Sequence, residues 1–411
     1  MNNITLSWKN IWNKPLSSML CILLLALGIG LSSFLLLLNQ QLEDKFGKNV
    51  SGVNLVIGAK GSPLQLILCS MFHIDAPTGN IKITESKAFL NPQHPFIQAA
   101  APLSLGDNYK GYRIVGTTYS FLPFYNAKIG SGKLFANTMD ITAGSDVAQK
   151  LNLNIGDEFD SSHGLIEDDY LVHEHAHKFK VVGILQTTGT VIDQLLLTPV
   201  NSIWEVHEHG DADHHEHEAI VQNSQLKDYD GHEITSMLLK FKGRNIQTLN
   251  LQRTINENTN LQAATPALEI NRLYSMMGVG TNTLQLLAFI ILIVSAISVF
   301  VSLYNSLKER KYELALLRTL GGSRVKLLIL ILTESLLLCL LGFILGMIIS
   351  HTAMELLAGY LQQTYRYSFT GRIFLAEEWG LLAITVIIGV LAALLPAVQA
   401  YKSDISKILS K

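Results

Sequence analysis

Cysteine is nearly absent from this chain: three in 411 residues, with Cys21 and Cys339 inside apolar runs and Cys69 alone in the long polar stretch between them. No intrachain disulfide can form in that stretch, so a disulfide scaffold is excluded and Cys69 reads as a structural thiol. Charge is also scarce, at 16% of residues, and the net charge of −2 excludes a basic nucleic-acid-binding surface. No G-x-x-x-x-G-K-[ST] phosphate loop occurs; Gly58-Ala-Lys-Gly-Ser62 is the nearest fragment.

What is abundant is apolar sequence, 48% of residues, with a mean hydropathy of +0.28. Four runs are long enough to cross roughly 30 Å of hydrocarbon, at 17–38, 282–304, 327–350 and 380–400, and none contains Lys or Arg. Cations crowd the flanks: Lys9 and Lys14 before the first run; Lys308, Arg310, Lys311, Arg318, Arg324 and Lys326 between the second and third; Lys402, Lys407 and Lys411 after the fourth. The 351–379 loop holds only Arg366 and Arg372, beside Glu355, Glu377 and Glu378. The positive-inside rule puts both termini and the 305–326 loop in the cytoplasm, and the large segment at 39–281 outside. The first run exceeds a signal-peptide h-region and no A-x-A site follows, so it reads as a retained anchor.

The expected fold is therefore a membrane protein of four transmembrane α-helices, with a large mixed α+β extracytoplasmic domain inserted between the first and second helices. Residues 1–16 place Ile4, Trp8, Ile11 and Trp12 at helical spacing, which suits a short helix lying on membrane lipid. In the outer segment, strands are expected at 54–57, 112–115, 179–185 and 194–197. Helices are expected at 145–151 and 199–206, the latter opened by Pro199. Its length allows two subdomains. Gly278 and Gly280 punctuate the return to the membrane, and Gly342-x-x-x-Gly346 in the third span lets another helix approach closely. Glu334, the acid within a span, is expected to pair with an Arg or with backbone.

The 307–326 stretch is a charged amphipathic helix broken at Gly321-Gly322, suited either to anchoring or to passing force to a soluble partner. Its core, Glu309-Arg-Lys-Tyr-Glu-Leu-Ala-Leu-Leu-Arg-Thr-Leu-Gly-Gly322, resembles the R-x-E-I-x-x-x-R-x-x-G-A signature of FtsX-like or MacB-type ABC permeases. Leu332-Thr-Glu-Ser335, Gly342 to Gly346 and the closing Pro396-Ala397 with Ala400 continue the resemblance. In the outer segment Gly132-Lys-Leu-Phe135, Ala148 to Asp157 and Phe179 to Leu185 are similar to the MacB-like periplasmic core, with Lys133 where Arg is usual. The resemblance implies a non-catalytic permease subunit in the bacterial inner membrane. It also implies a permease homodimer, a cytoplasmic ABC ATPase dimer that uses the ATP, and a periplasmic binding or adaptor protein. Glu309, Arg310, Glu313, Arg318, Gly321 and Gly322 would then form the ATPase-coupling region.

Nine of thirteen histidines lie between 173 and 232, with acids interspersed. His173, His175, His177, His207, His209, His214, His215 and His217 are the candidate zinc ligands, since alternating His on a strand project together. The other reading is a solvated loop with incidental His. His173-Glu174-His175-Ala176-His177 matches H-E-x-x-H literally, but its flanks suggest loop and strand rather than the helix a zincin needs. No resident cofactor is required otherwise, and no catalytic residue set can be assembled. Three functions stay open: a permease transmitting ATP-driven motion outward, a non-transporting signalling device of FtsX type, and a membrane-anchored metal sensor.

Overall fold

The computed structural model describes residues 3–50, 52–163, 178–207, 219–243, 245–310, 319, 323–365 and 369–402. It divides into two compact units, Met1–Leu42 with Met277–Lys411, and Glu43–Met276.

The first unit is helical. A short helix α1 (Asn3–Asn13) precedes α2 (Pro15–Val50), with Pro15 at the first helical position, where its missing N–H costs nothing. Three further long helices, α9 (Pro266–Glu309), α10 (Arg324–Tyr365) and α11 (Glu378–Lys402), complete four that are long and apolar enough to cross a membrane. Each overruns its apolar run. Gly278 and Gly280 lie inside α9 without interrupting it, contrary to the punctuation expected of them. Nothing stands within 4 Å of where their β-carbons would be, so the helix continues through them at a modest entropic cost.

Close packing within this unit is set by glycine on both sides of one contact. A β-carbon on Gly346 would stand 2.8 Å from the Ala26 carbonyl oxygen and 3.2 Å from the Gly30 nitrogen, and one on Gly342 would meet the Leu25 side chain. The first and third spans therefore touch backbone to backbone. Gly28 makes a similar seat for Leu292 of the second span, at 3.0 Å.

The second unit is mixed α/β. Its strands are β1 (Leu55–Ala59), β2 (Ile81–Lys82), β3 (Ile97–Tyr109), β4 (Tyr112–Thr117), β5 (Ile129–Gly132), β6 (Asp140–Ala143), β7 (Glu158–Phe159), β8 (Ser162–His163), β9 (Phe179–Leu185), β10 (Leu196–Pro199), β11 (Glu233–Ile234), β12 (Ser236–Phe241) and β13 (Leu261–Ala264). One sheet runs β13-β1-β12-β3-β4-β10-β6-β9-β5, with β4/β10 and β6/β9 parallel and the other pairs on this path antiparallel. Helices α3 (Pro63–Met71), α4 (Ile83–Ser86), α5 (Ser145–Leu151), α6 (Val200–His207), α7 (Asn223–Leu226) and α8 (Ile246–Asn258) join its strands.

Two apolar cores line this one sheet, where the sequence suggested two subdomains. One gathers Leu55, Ile57, Met237 and Leu239 with Ile255 of α8; the other gathers Ile114, Ile141, Phe179 and Leu196 with Val147 of α5 and Ile203 of α6. Pro199, expected to open a helix, instead ends β10. It lies opposite Thr117 in a parallel pair, a strand end at which its missing N–H is tolerated, and α6 begins at Val200. Gln194 likewise closes a 3-10 turn (Val191–Gln194) rather than starting the strand.

Candidate coupling site

The second span ends at Glu309 and the third begins at Arg324, capped by Ser323, whose Oγ accepts from the Lys326 N–H at 3.2 Å. Of the residues expected to couple to an ATPase, Glu309 and Arg310 are described. Glu313, Arg318, Gly321 and Gly322 lie outside the described residues.

Both helix ends that flank this segment are tied to the N-terminus. Lys14, between α1 and α2, makes an ion pair with Glu309. Ser17 and Ser302 hydroxyls meet at 3.0 Å, joining the first and second spans just beyond it. On the other side α1 lies along the third span: Ser7 Oγ is 2.9 Å from Thr333 Oγ1 and 3.3 Å from the Leu330 carbonyl, to which it donates. Ser7 and Ile11 are buried in that contact, while Trp8 and Trp12 stay exposed. The small Ser7 is what lets the helices approach, and the two indoles suit a lipid interface.

Glu334 is buried at the same place, at 8% exposure. Among the described residues its hydrogen-bond partner is the Asn10 amide, which donates to Oε2 at 3.4 Å, rather than the Arg or backbone group expected. Arg310 and Lys14 act on it as charges over a longer range. An intramembrane carboxylate needs such partners because an unpaired one is costly to desolvate. Asn10 and Ser7 went unnoticed in the sequence, because polar residues in a short N-terminal helix are also what any solvated helix carries, and Lys14 was read only as a cation that sets topology. Gly28 and Gly30 were a readable signal, two glycines within an apolar run.

The histidine candidates His173, His175, His177, His209, His214, His215 and His217 lie outside the described residues. His207 is the last residue of α6. His232 is placed: its ring is tilted against Trp204 at 4.4 Å between centroids and lies edge-on to Tyr229 at 5.7 Å. Among the described residues no group of three or more His, Cys, Asp or Glu is placed to hold a metal ion.

The chain on the far side of each tract returns to the same turn, Asn137 to Asp140. After 164–177 it enters β9, where the Lys180 N–H donates to the Met139 carbonyl at 2.8 Å. After 208–218 it returns at Ala219, which bridges Asn137, and the Ile220 N–H donates to the Ala136 carbonyl at 2.8 Å. The turn itself is pinned by Asp140, whose Oδ2 accepts from the N–H groups of Ala136 and Asn137 at 3.0 Å each. Ser202 of α6 accepts from the Met139 N–H at 3.0 Å, so the helix leading into the second tract starts from this turn too.

Cys69 is buried in the outer unit, and burial pushes its thiol up to about 11, against the opposing charge of Arg113. A thiol so rarely ionised near neutrality is a poor nucleophile and metal ligand.

A family model described as MacB-like periplasmic core domain matches residues 18–241, and one described as FtsX-like permease C-terminal matches residues 286–405. No curated protein matches the chain. Among solved structures it is similar to the periplasmic region of MacB from Actinobacillus actinomycetemcomitans, 12% identical over 56% of this chain and 97% of that one, with a TM-score of 0.33. It is also similar to the extracellular domain of the noncanonic ABC-type transporter YknZ from Gram-positive bacteria, 10% identical over 52% of this chain and 100% of that one, with a TM-score of 0.29.

Proposed function

From the chain's membership of the ABC permease family defined by a MacB-like periplasmic core domain and an FtsX-like C-terminal part, we propose that it is the membrane subunit of an ATP-driven machine. A separate cytoplasmic ATPase would dock on the 305–326 segment, and its closure would move the helices and so the outer domain. No phosphate loop occurs in these 411 residues, which supports nucleotide chemistry on a partner.

The observation that carries this reading is the tie between the N-terminal stretch, α1 with Lys14, and both helix ends flanking that segment, through Lys14 to Glu309, Ser7 to Thr333 and Asn10 to Glu334. A force applied at the segment would reach the first, second and third spans together, instead of bending one loop. Orientation follows the cation distribution, with both termini on the ATPase side. Four spans per protomer leave little room for a wide aqueous path, which favours transmitting motion over conducting cargo. A homodimer and a periplasmic adaptor belong to the same proposal.

The tagged full chain, isolated from its native membrane, is expected to bring down an ABC ATPase. The pair Arg318→Glu with Gly321→Pro is expected to lose that ATPase while keeping the wild-type melting temperature. A wild-type chain that carries no ATPase overturns the reading.

A second reading, that the outer domain binds zinc, is supported by the described residues that follow the two histidine tracts, Lys180 and Ala219 to Ile220, both bonding to the chain at Ala136 to Asp140. Ligands from two chain segments anchored within a few residues of each other can share one ion, which raises affinity over either tract alone. Zinc titration of the full chain beside a variant lacking 208–217 tests this. Binding weaker than millimolar in the wild type, or unchanged in the deletion, rejects it.

A further inference from the structure

Three polar side chains of the outer unit are bonded less than their burial requires. Ser70 lies in the last turn of α3 and His73 just past its end, and both are more than nine-tenths buried, at 1% and 8% exposure. Among the described residues neither ring nitrogen of His73 has a hydrogen-bond partner, and the Ser70 hydroxyl has none. Arg113 of β4, partly buried, joins them. Its Nη2 donates to the Asp75 carbonyl, its guanidinium also donates to the thiol of Cys69, next to Ser70, and its charge reaches His73. Among the described residues no carboxylate stands within ion-pairing distance of Arg113. Asp75 acts on it as a more distant charge, while its Oδ1 accepts from the Ala76 N–H at 2.7 Å.

What is left unused here is all of one kind. A guanidinium carries five N–H donors, of which a carbonyl and a thiol engage only part. Neutral His73 adds one N–H and Ser70 one O–H, each costing desolvation that nothing offsets. The end of α3 does not supply the missing acceptor, because its Leu68 carbonyl takes the Ile74 N–H at 3.0 Å and its Met71 carbonyl the Tyr125 hydroxyl at 3.4 Å. Nor does helix termination call for a buried ring: at the left-handed φ of 53° that His73 adopts, Gly or Asn ends a helix at lower cost. Burial pulls both Arg113 and His73 toward their uncharged forms, as it does for bases with no anion beside them.

A water molecule satisfies the hydroxyl and the ring but leaves the guanidinium uncompensated. A metal ion is repelled by Arg113, and among the described residues no group of three His, Cys, Asp or Glu is placed to hold one. Only an anion with several acceptor oxygens answers all three side chains.

We propose that Arg113, His73 and Ser70 form a binding site for a small oxyanion, of the phosphate or carboxylate class, in the outer domain. Burial of Ser70 and His73 limits the ligand to a small ion. It enters from the side of Asp75 and Ala76, exposed residues whose carbonyls are held by Arg113 and, at 3.1 Å, by the Gln65 amide. Neither zinc nor an ATPase takes part in the binding.

Thermal unfolding of the full chain in a maltoside detergent, which contains no phosphate, tests the site with inorganic phosphate and with acetate, each against chloride at equal ionic strength. Either oxyanion is expected to raise the melting temperature saturably, as a ligand of the native state alone does. Phosphate also strengthens apolar burial in any protein, so the gain is read against two variants. Arg113→Gln is expected to weaken binding at least about tenfold, the loss set by a charge-assisted hydrogen bond. Ser70→Ala is expected to be as stable as wild type or more so without an oxyanion, since it removes an unpartnered hydroxyl, and to gain less when one is added. No stabilisation beyond chloride by either oxyanion in the wild type, or an equal gain in both variants, overturns the site. Should neither variant fold, nitrogen-15 resonances of the His73 ring in the wild type decide. A saturable shift on adding phosphate or acetate that chloride does not cause supports the site, and unchanged resonances refute it.

Discussion

A β-carbon 2.8 Å from a carbonyl oxygen has nowhere to go, so at Gly346 even Ala forces the first and third spans apart and Leu more so. Overpacking of this kind costs about 1–3 kcal/mol, and Gly346→Leu is expected to lower the melting temperature of the purified chain. Gly278, inside α9 with open space where its β-carbon would be, is the converse: Gly278→Ala removes backbone entropy from the unfolded chain and is expected to stabilise by about 0.5–1 kcal/mol. His73 of the outer unit sets a pH dependence. Its ring is buried with neither nitrogen hydrogen-bonded, and desolvation, aided by Arg113, pushes its pKa from 6.5 down to about 3. Between those values the unfolded chain binds a proton that the native chain does not. Stability from this group is therefore complete above 6.5 and is lost as pH falls toward 3. Since His73 has a left-handed φ of 53°, Asn is the replacement that fits. Melting curves of His73→Asn are expected to be flatter with pH than wild type over that acid range.

The N-terminal stretch of α1 and Lys14 holds the two helix ends that flank the proposed coupling segment, and its ion pair can be separated from its packing. Lys14 and Glu309 are partly exposed, so their pair contributes little stability, about 0–1 kcal/mol. If the pair serves coupling, Lys14→Glu is expected to leave the melting temperature nearly unchanged and to weaken stimulation of the partner ATPase by the permease. Adding Glu309→Lys is expected to restore it. Failure of the double variant to recover activity would assign the pair to surface decoration. Whole elements of this kind were legible in the sequence to differing degrees. The four spans were plain, because hydropathy acts locally, as were β9 and α5, whose apolar periods fit strand and helix. The start of α6 was misplaced at Pro199 because a proline suits the end of a strand as well as the first turn of a helix. The continuity of α9 through Gly278 and Gly280 was missed because glycine permits a break without requiring one. The burial of Glu378, whose Oε1 meets Ser33 Oγ at 2.8 Å and His351 Nε2 at 3.1 Å, was invisible for a stronger reason: its partners come from distant positions, and no local pattern marks that a loop acid folds inward.

At the scale of the whole molecule, the outer unit is built on one large sheet, and the described residues that follow each histidine-rich segment are bonded into it or beside it. That layout separates binding from folding. Strand β9 is fixed on both sides, parallel to β6 and antiparallel to β5, and Ala219 and Ile220 are held by Asn137 and Ala136. All of these bonds are made by described residues outside 208–218, so replacing 209–217 with a short Gly/Ser linker should preserve the sheet. Loop closure costs change only by about (3/2)RT times the logarithm of the length ratio, well under 1 kcal/mol for such a shortening. The full chain with this replacement is expected to melt as wild type does, to keep its ATPase, and to bind zinc at least about tenfold more weakly, as befits loss of half the donors. Three results discriminate the functional classes. Retained ATPase activity with lost zinc binding makes the metal an input to a working machine. Loss of both would mean that the histidine segment is part of the outer domain's moving surface. Unchanged zinc affinity would return the histidines to a solvated loop and leave the motion of the outer domain as the whole of its output.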